Sequence, residues 1–123
     1  MNNELSYTSS IVVTDANTAQ TLGSGDLQVF ATPAMVALVE NAAMKAAATL
    51  LGEGETTVGA QISVSHTKPT GIGRTVTATA TLTAHEGRKL SFTVVASDED
   101  GTIGEGTHTR YVVSRERFMA KVQ

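Results

Sequence analysis

TPAMVALVENAAMKAAATLL, residues 32–51, decides the fold. From Ala34 onward it holds no Gly or Pro and is filled with good helix formers, so it predicts a helix from Thr32 to about Leu51, stopped by Gly52 and Gly54. Thr32-Pro33 reads as its start: a threonine side chain can cap the free amides of a first turn, and proline is tolerated there. At 100° per residue, Asn41, Lys45 and Thr49 gather on one narrow polar side, while Val36, Ala43, Met44, Ala47 and Leu51 surround Glu40. A helix this apolar has to be covered over most of its circumference, and a curved sheet would do that.

The flanking sequence supplies such a sheet. Leu5 to Val13 is β-rich and ends at the turn-like Thr14-Asp15-Ala16-Asn17, and Gly23 to Asp26 (GSGD) reads as loop. After the helix, Val58, Ala60, Ile62 and Val64 alternate with Gly59, Gln61, Ser63 and Ser65. Val76, Ala78, Ala80 and Leu82 then alternate with the threonines at 75, 77, 79, 81 and 83. Glu86-Gly87 and Asp100-Gly101 are hairpin turns flanking two further strands, Lys89 to Ala96 and Thr102 to Val113. Strand, long helix and four-strand antiparallel meander make an α+β chain. With the sheet wrapped around one central helix, this is the order of the hotdog fold, and residues 1–123 read as one domain.

Composition narrows the function. The net charge is −3 and the nine basic residues are scattered, so no electrostatic footprint for nucleic acid is present. Three Phe, two Tyr and no Trp leave few base-stacking platforms. The absence of cysteine excludes disulfides, thiolate metal sites and a cysteine nucleophile, and suits a cytoplasmic setting. Met1 to Ser10 has no apolar run of the kind a signal peptide or anchor needs, and no stretch approaches the roughly 20 apolar residues of a membrane span. A soluble protein with a small-molecule ligand is the expectation.

Glu40 is the most informative residue. Burying an unpaired carboxylate in an apolar stripe costs several kcal/mol. Glu40 is therefore read either as a poised base or nucleophile, or as a group open to solvent or a structural ion pair. His66 shares strand parity with Ala60, Ile62 and Val64 and so is expected to face the helix, where it could meet Glu40. Thr32 is explained as a cap, and eight residues of helix separate it from Glu40 by roughly 12 Å. His66, the substrate or a second subunit would have to bridge them. His85 beside its turn, and His108 between Thr107 and Thr109, have no obvious carboxylate partner and are set aside. No pair at metal-ligand spacing occurs, so no metal or other cofactor is expected.

FATPAMVALVE (Phe30 to Glu40), TVGAQISVSH (Thr57 to His66) and GEGTHTRYVV (Gly104 to Val113) together resemble the fluoroacetyl-CoA thioesterase group of hotdog proteins, over about residues 5 to 118. The resemblance implies an acyl-CoA thioester hydrolase with Thr32, Glu40 and His66 as catalytic set and the thioester carbonyl near the Gly59 amide. It also implies a homodimer with sites at the subunit interface; assembly to a tetramer is left open. Glu40 would attack the carbonyl or activate water, His66 would pass a proton to the leaving thiolate, and Thr32 with the Gly59 amide would steady the oxyanion. Arg74, Arg88 and Arg110 are candidates for the CoA phosphates, with Phe30 beside the acyl group. The family's aromatic lid before the helix has no counterpart in TLGSGDLQVF beyond Phe30, so selectivity for the fluorinated substrate is not expected, and a more general small acyl-CoA, or an acyl carrier, is the substrate class. Two other classes stay open: a hydratase or dehydratase acting on acyl thioesters, and a non-catalytic acyl-CoA binding module.

Overall fold

The computed structural model describes residues 5–122. The expectation about signals or anchors at the amino terminus therefore falls partly on residues outside those described. Five strands form one antiparallel sheet: β1 (Ser6–Val12), β2 (Glu55–His66), β3 (Thr75–Glu86), β4 (Lys89–Asp98) and β5 (Gly101–Ser114), in the order β1-β3-β4-β5-β2. The long helix α2 (Thr32–Ala47) lies across one face, preceded by the single turn α1 (Ala19–Leu22) and followed after β5 by α3 (Arg115–Ala120). The fold is the α+β arrangement expected. The predicted extension of the helix to Leu51 is replaced by a 3₁₀ turn at Ala48–Leu50, which tightens the final turn before Gly52. No helix among the described residues is long and apolar enough to cross a membrane.

The two faces of the sheet divide by side-chain chemistry. Met35, Leu38, Val39, Ala42, Ala43, Ala46 and Ala47 of α2 pack onto Val76, Ala78 and Ala80 of β3 and Leu90, Phe92, Val94 and Ala96 of β4. Alanine at the helix contacts lets helix and sheet approach closely, and the large side chains of β4 fill the remaining space. The opposite face is hydroxyl-rich: Ser6, Thr81, Thr93, Thr107 and Ser63 lie in one cross-strand row, and the Thr8 and Thr79 hydroxyls meet at 2.7 Å in the next.

The helix-facing side of β5 differs from its neighbours. In register with Ala96, Val94, Phe92 and Leu90 of β4 stand Gly104, Gly106, His108 and Arg110. A Cβ on Gly106 would collide with the Ser63 carbonyl, and one on Gly104 with the Ser65 carbonyl and the Met35 sulfur. Glycine at these positions therefore lets β2 and the first turn of α2 close down on β5. Further along the strand the same face carries two long polar side chains. His108 lies against Phe92, with ring centroids 6.4 Å apart.

A β-bulge interrupts β2 between Gly59 and Gln61. The extra residue reverses strand parity. Before the bulge, Thr57 and Gly59 face the helix, Gly59 sitting opposite the inward Arg110; after it, Ile62, Val64 and His66 do so. The simple alternation predicted for this strand is thus corrected: His66 lies on the expected face, whereas Val58, paired with the exposed Tyr111, does not.

Truncating Phe92, which fills the centre of this core at 1% exposure, removes a large buried ring and leaves a cavity. Phe92→Ala is expected to cost about 3–5 kcal/mol of unfolding free energy, read from the shift in denaturant midpoint at unchanged m-value.

Candidate active site

Two polar clusters flank α2. The first stands at its N-terminus. The N-cap is Ala31, with no side-chain cap, and Thr32 is already inside the helix. This corrects the capping role assigned to Thr32. Its hydroxyl is instead hydrogen-bonded to His66 Nδ1 at 2.8 Å. The other imidazole nitrogen, Nε2, is buried and makes no hydrogen bond of good geometry. Burial holds the His66 pKa below its ordinary 6.5, against an opposing pull from the Lys68 main chain, so the ring is neutral at pH 7.

Thr32 and His66 open on a cavity of about 260 Å³ whose walls include Ser24, Val29, Phe30 and Pro69. Phe30 is buried beside the pair and lines the same cavity. Lys68, also in the wall, is tied back by Asp98 at 3.4 Å, and Asp98 accepts a second hydrogen bond from Thr70 at 2.9 Å. Glu40 does not line this cavity.

The second cluster lies mid-helix, over β5 and the bulge of β2. Glu40 Oε2 stands 3.7 Å from Arg110 Nη1 and 3.8 Å from His108 Nε2. At these distances the contacts are electrostatic rather than hydrogen bonds. The Arg110 side chain is 8% exposed and that of Glu40 39%. Beneath Glu40 lies Gly59, where a Cβ would come within 2.5 Å of Oε2, so only glycine leaves the carboxylate its place.

The expectation that Glu40 and His66 meet in one pocket of one chain is therefore not met. They lie on the same side of the sheet at different heights along the helix, and Glu40 takes a partner that was set aside. His108 is 1% exposed and donates through Nδ1 to the Gln61 carbonyl at 2.8 Å, Gln61 lying next to the bulge. The signal for His108 was present in the sequence. Thr107 and Thr109 share the hydroxyl face of the threonines of β3, so residue 108 had to face inward.

The three arginines separate as well. Arg110 is not a phosphate hook but a buried group, with Nε donating to Thr57 Oγ1 (2.9 Å) and Nη2 to the Thr57 carbonyl (3.0 Å). Arg74 is held by Glu99 and Asp100 at 2.9 and 2.8 Å, an arrangement that leaves little of its charge for a phosphate. Arg88 donates to the Val112 carbonyl and keeps its guanidinium largely in solvent.

Among solved structures, a Thermus thermophilus hypothetical protein of the thioesterase superfamily superposes with a TM-score of 0.88 at 27% identity, over 95% of this chain and 87% of that one. Sheet order, central helix and this likeness define the class: a hotdog-fold protein of thioesterase type. A closer group is evident. The structure of the fluoroacetyl-CoA thioesterase FlK has a TM-score of 0.91 at 41% identity, over 99% of this chain and 95% of that one. A fluoroacetyl-CoA thioesterase of Streptantibioticus cattleyicolor is 49% identical over 96 residues, 78% of this chain and 69% of that protein. The family model for fluoroacetyl-CoA-specific thioesterases matches residues 13–116, and the chain belongs to that family.

His66 and His108 both have pKa values lowered chiefly by burial, from an ordinary 6.5. On acidification the unfolded chain therefore takes up protons before the folded one. Stability is expected to hold above about pH 7 and to fall as the pH drops through 6.5 toward the folded-state values. Urea titrations at about pH 7.5 and 5.5 should show the loss, and His108→Gln should reduce it.

Proposed function

We propose that the protein hydrolyses a small acyl-CoA thioester to the free acid and CoA, with no cofactor beyond the CoA of the substrate itself. The observation that carries this reading is the 2.8 Å hydrogen bond between Thr32 and a neutral His66 at the wall of a small cavity, in a chain whose relatives are thioesterases. The cavity lies just below the usual 300–1,000 Å³ range of ligand pockets, which suits a short acyl group. Apart from Phe30 no aromatic of the segment before the helix lines it, and Ser24 and Val29 stand there instead, so the acyl group is more general than fluoroacetyl. Arg88, the most exposed of the three arginines, is the remaining candidate of the set for a CoA phosphate.

The catalytic roles are divided between the two clusters. Glu40 attacks the thioester carbonyl or activates a water, His66 carries the proton to the departing thiolate, and the Thr32 hydroxyl with the Gly59 amide stabilises the oxyanion. A second reading draws on the Thr32–His66 bond itself. With its proton on Nε2, His66 accepts the Thr32 hydroxyl proton at Nδ1, and threonine becomes the nucleophile.

A homodimer unites the clusters. β2 is an edge strand of twelve residues whose own Ile62 is exposed, and Met44 of α2 lies exposed near its Thr56 and Thr57. Antiparallel pairing of two β2 strands about a two-fold between Ile62 and Ser63 sets Gly59 of one against His66 of the other. Glu40 of one subunit then approaches the Thr32–His66 pair of its partner.

Thiol release from acetyl-, propionyl-, butyryl- and fluoroacetyl-CoA tests the assignment. Glu40→Ala and His66→Ala should each lower kcat by about 10²–10⁴. Thr32→Val abolishes turnover if threonine is the nucleophile and costs about 10²–10³ if it only stabilises the oxyanion. Mixing the Glu40→Ala and His66→Ala proteins should restore activity through heterodimers that hold one intact composite site. A mixture that stays inactive after demonstrated subunit exchange removes the shared site, and retained activity in both single variants removes the mechanism.

A further inference from the structure

We propose that His108 and Thr57 are positioning residues for Glu40, acting through the guanidinium of Arg110. The inference rests on the reading of Glu40 as base or nucleophile and identifies what holds it.

Every nitrogen of Arg110 is committed. Nε and Nη2 bind the hydroxyl and carbonyl of Thr57, and Nη1 lies 3.2 Å from His108 Nε2. Since an arginine nitrogen can only donate, His108 Nε2 must accept, and its proton must sit on Nδ1. There it donates to the Gln61 carbonyl at 2.8 Å. The Gln61 carbonyl beside the bulge and the tautomer that Arg110 demands are therefore two ends of one arrangement.

An imidazolium could not serve: it would turn an N–H toward an N–H and set a second positive charge against the guanidinium. Burial, which keeps His108 below its ordinary pKa of 6.5, maintains the neutral ring. The result is a guanidinium fixed at three corners, with the outer side of Nη1 directed at Glu40. Glu40 itself accepts no short hydrogen bond from this group, so its place depends on where Arg110 is held. Thr57 holds one side of the guanidinium and His108 the other.

The test compares His108→Leu, His108→Gln, Thr57→Val and Thr57→Ser with Glu40→Gln, each checked for folding by circular dichroism. His108→Leu and Thr57→Val should lower kcat between about ten- and a hundred-fold with KM changed by less than about two-fold. His108→Gln, whose side-chain oxygen can accept from Nη1, and Thr57→Ser should recover most of that loss. In the Glu40→Gln background His108→Leu should add little.

Wild-type turnover in folded His108→Leu, or equal losses in the leucine and glutamine variants, overturns the proposal. Wild-type turnover in Glu40→Gln instead overturns the reading of Glu40, and this proposal with it. On the unsubstituted protein, long-range ¹H–¹⁵N correlation should show the His108 proton on Nδ1 and a lone pair on Nε2 near neutral pH. A proton on Nε2 overturns the proposal whatever the variants do.

Discussion

A guanidinium buried between a helix and a sheet is the constraint on which the rest of this structure depends. Taking a charge out of water costs several kcal/mol even after relaxation, and Arg110 meets that cost with a neighbouring carboxylate and a hydrogen-bond acceptor for each of its three nitrogens. These partners come from three places on the chain. Thr57 lies just before the bulge of β2, His108 stands on β5 with its ring fixed by the Gln61 carbonyl, and Glu40, a counter-charge rather than a hydrogen-bond acceptor, comes from the middle of α2. A mid-helix carboxylate that would be a defect over an apolar sheet is thereby the counter-charge its surroundings require.

The same constraint explains why the inner face of β5 is unlike those of β3 and β4. Gly104 and Gly106 give β2 and the start of α2 room to close down, whereas His108 and Arg110 occupy the space where the helix passes farther along the strand. Helix and sheet thus meet tightly at the end that holds Thr32 and His66, and through polar side chains at the middle that holds Glu40. Two chemically distinct environments arise along one helix. At the first, a neutral imidazole is buried with a hydroxyl partner; at the second, a half-exposed carboxylate faces a fixed cation.

Much of this was legible in the residues. Ala-rich amphipathic sequence with Gly52 behind it defined α2, the threonine alternation of β3 defined its faces, and the two Gly-containing turns placed the hairpins. What failed did so where local pattern competes with tertiary contact. The bulge after Gly59 was hidden by the regular alternation around it, although a lone glycine in a strand is its usual sign, and Gly59 sits there beneath Glu40 and beside His108. Thr32 before Pro33 has the composition of a cap, but Ala31 takes that position and releases the hydroxyl to His66. Arg110 read as one of several surface cations because charge alone says nothing about burial. Its parity, shared with His108 and opposite to Thr107 and Thr109, was the available sign that it turned inward.

The edge position of β2 links these packing features to the proposed chemistry. An edge strand of this length exposes a row of unpaired backbone groups, and natural sheets usually protect such edges with charge, proline or a covering element. Between Thr56 and Ser65, β2 carries no charged residue and no proline. Met44 and Ile62 add apolar surface along the same flank, and the carboxylate of Glu40 opens onto it. In the proposed dimer a second copy of the strand would satisfy the backbone, cover the apolar flank and bring a Thr32–His66 pair toward Glu40 in one step. The division of the polar groups into two clusters then follows from the fold: one continuous helix cannot bring side chains eight residues apart onto one atom, but two antiparallel copies can.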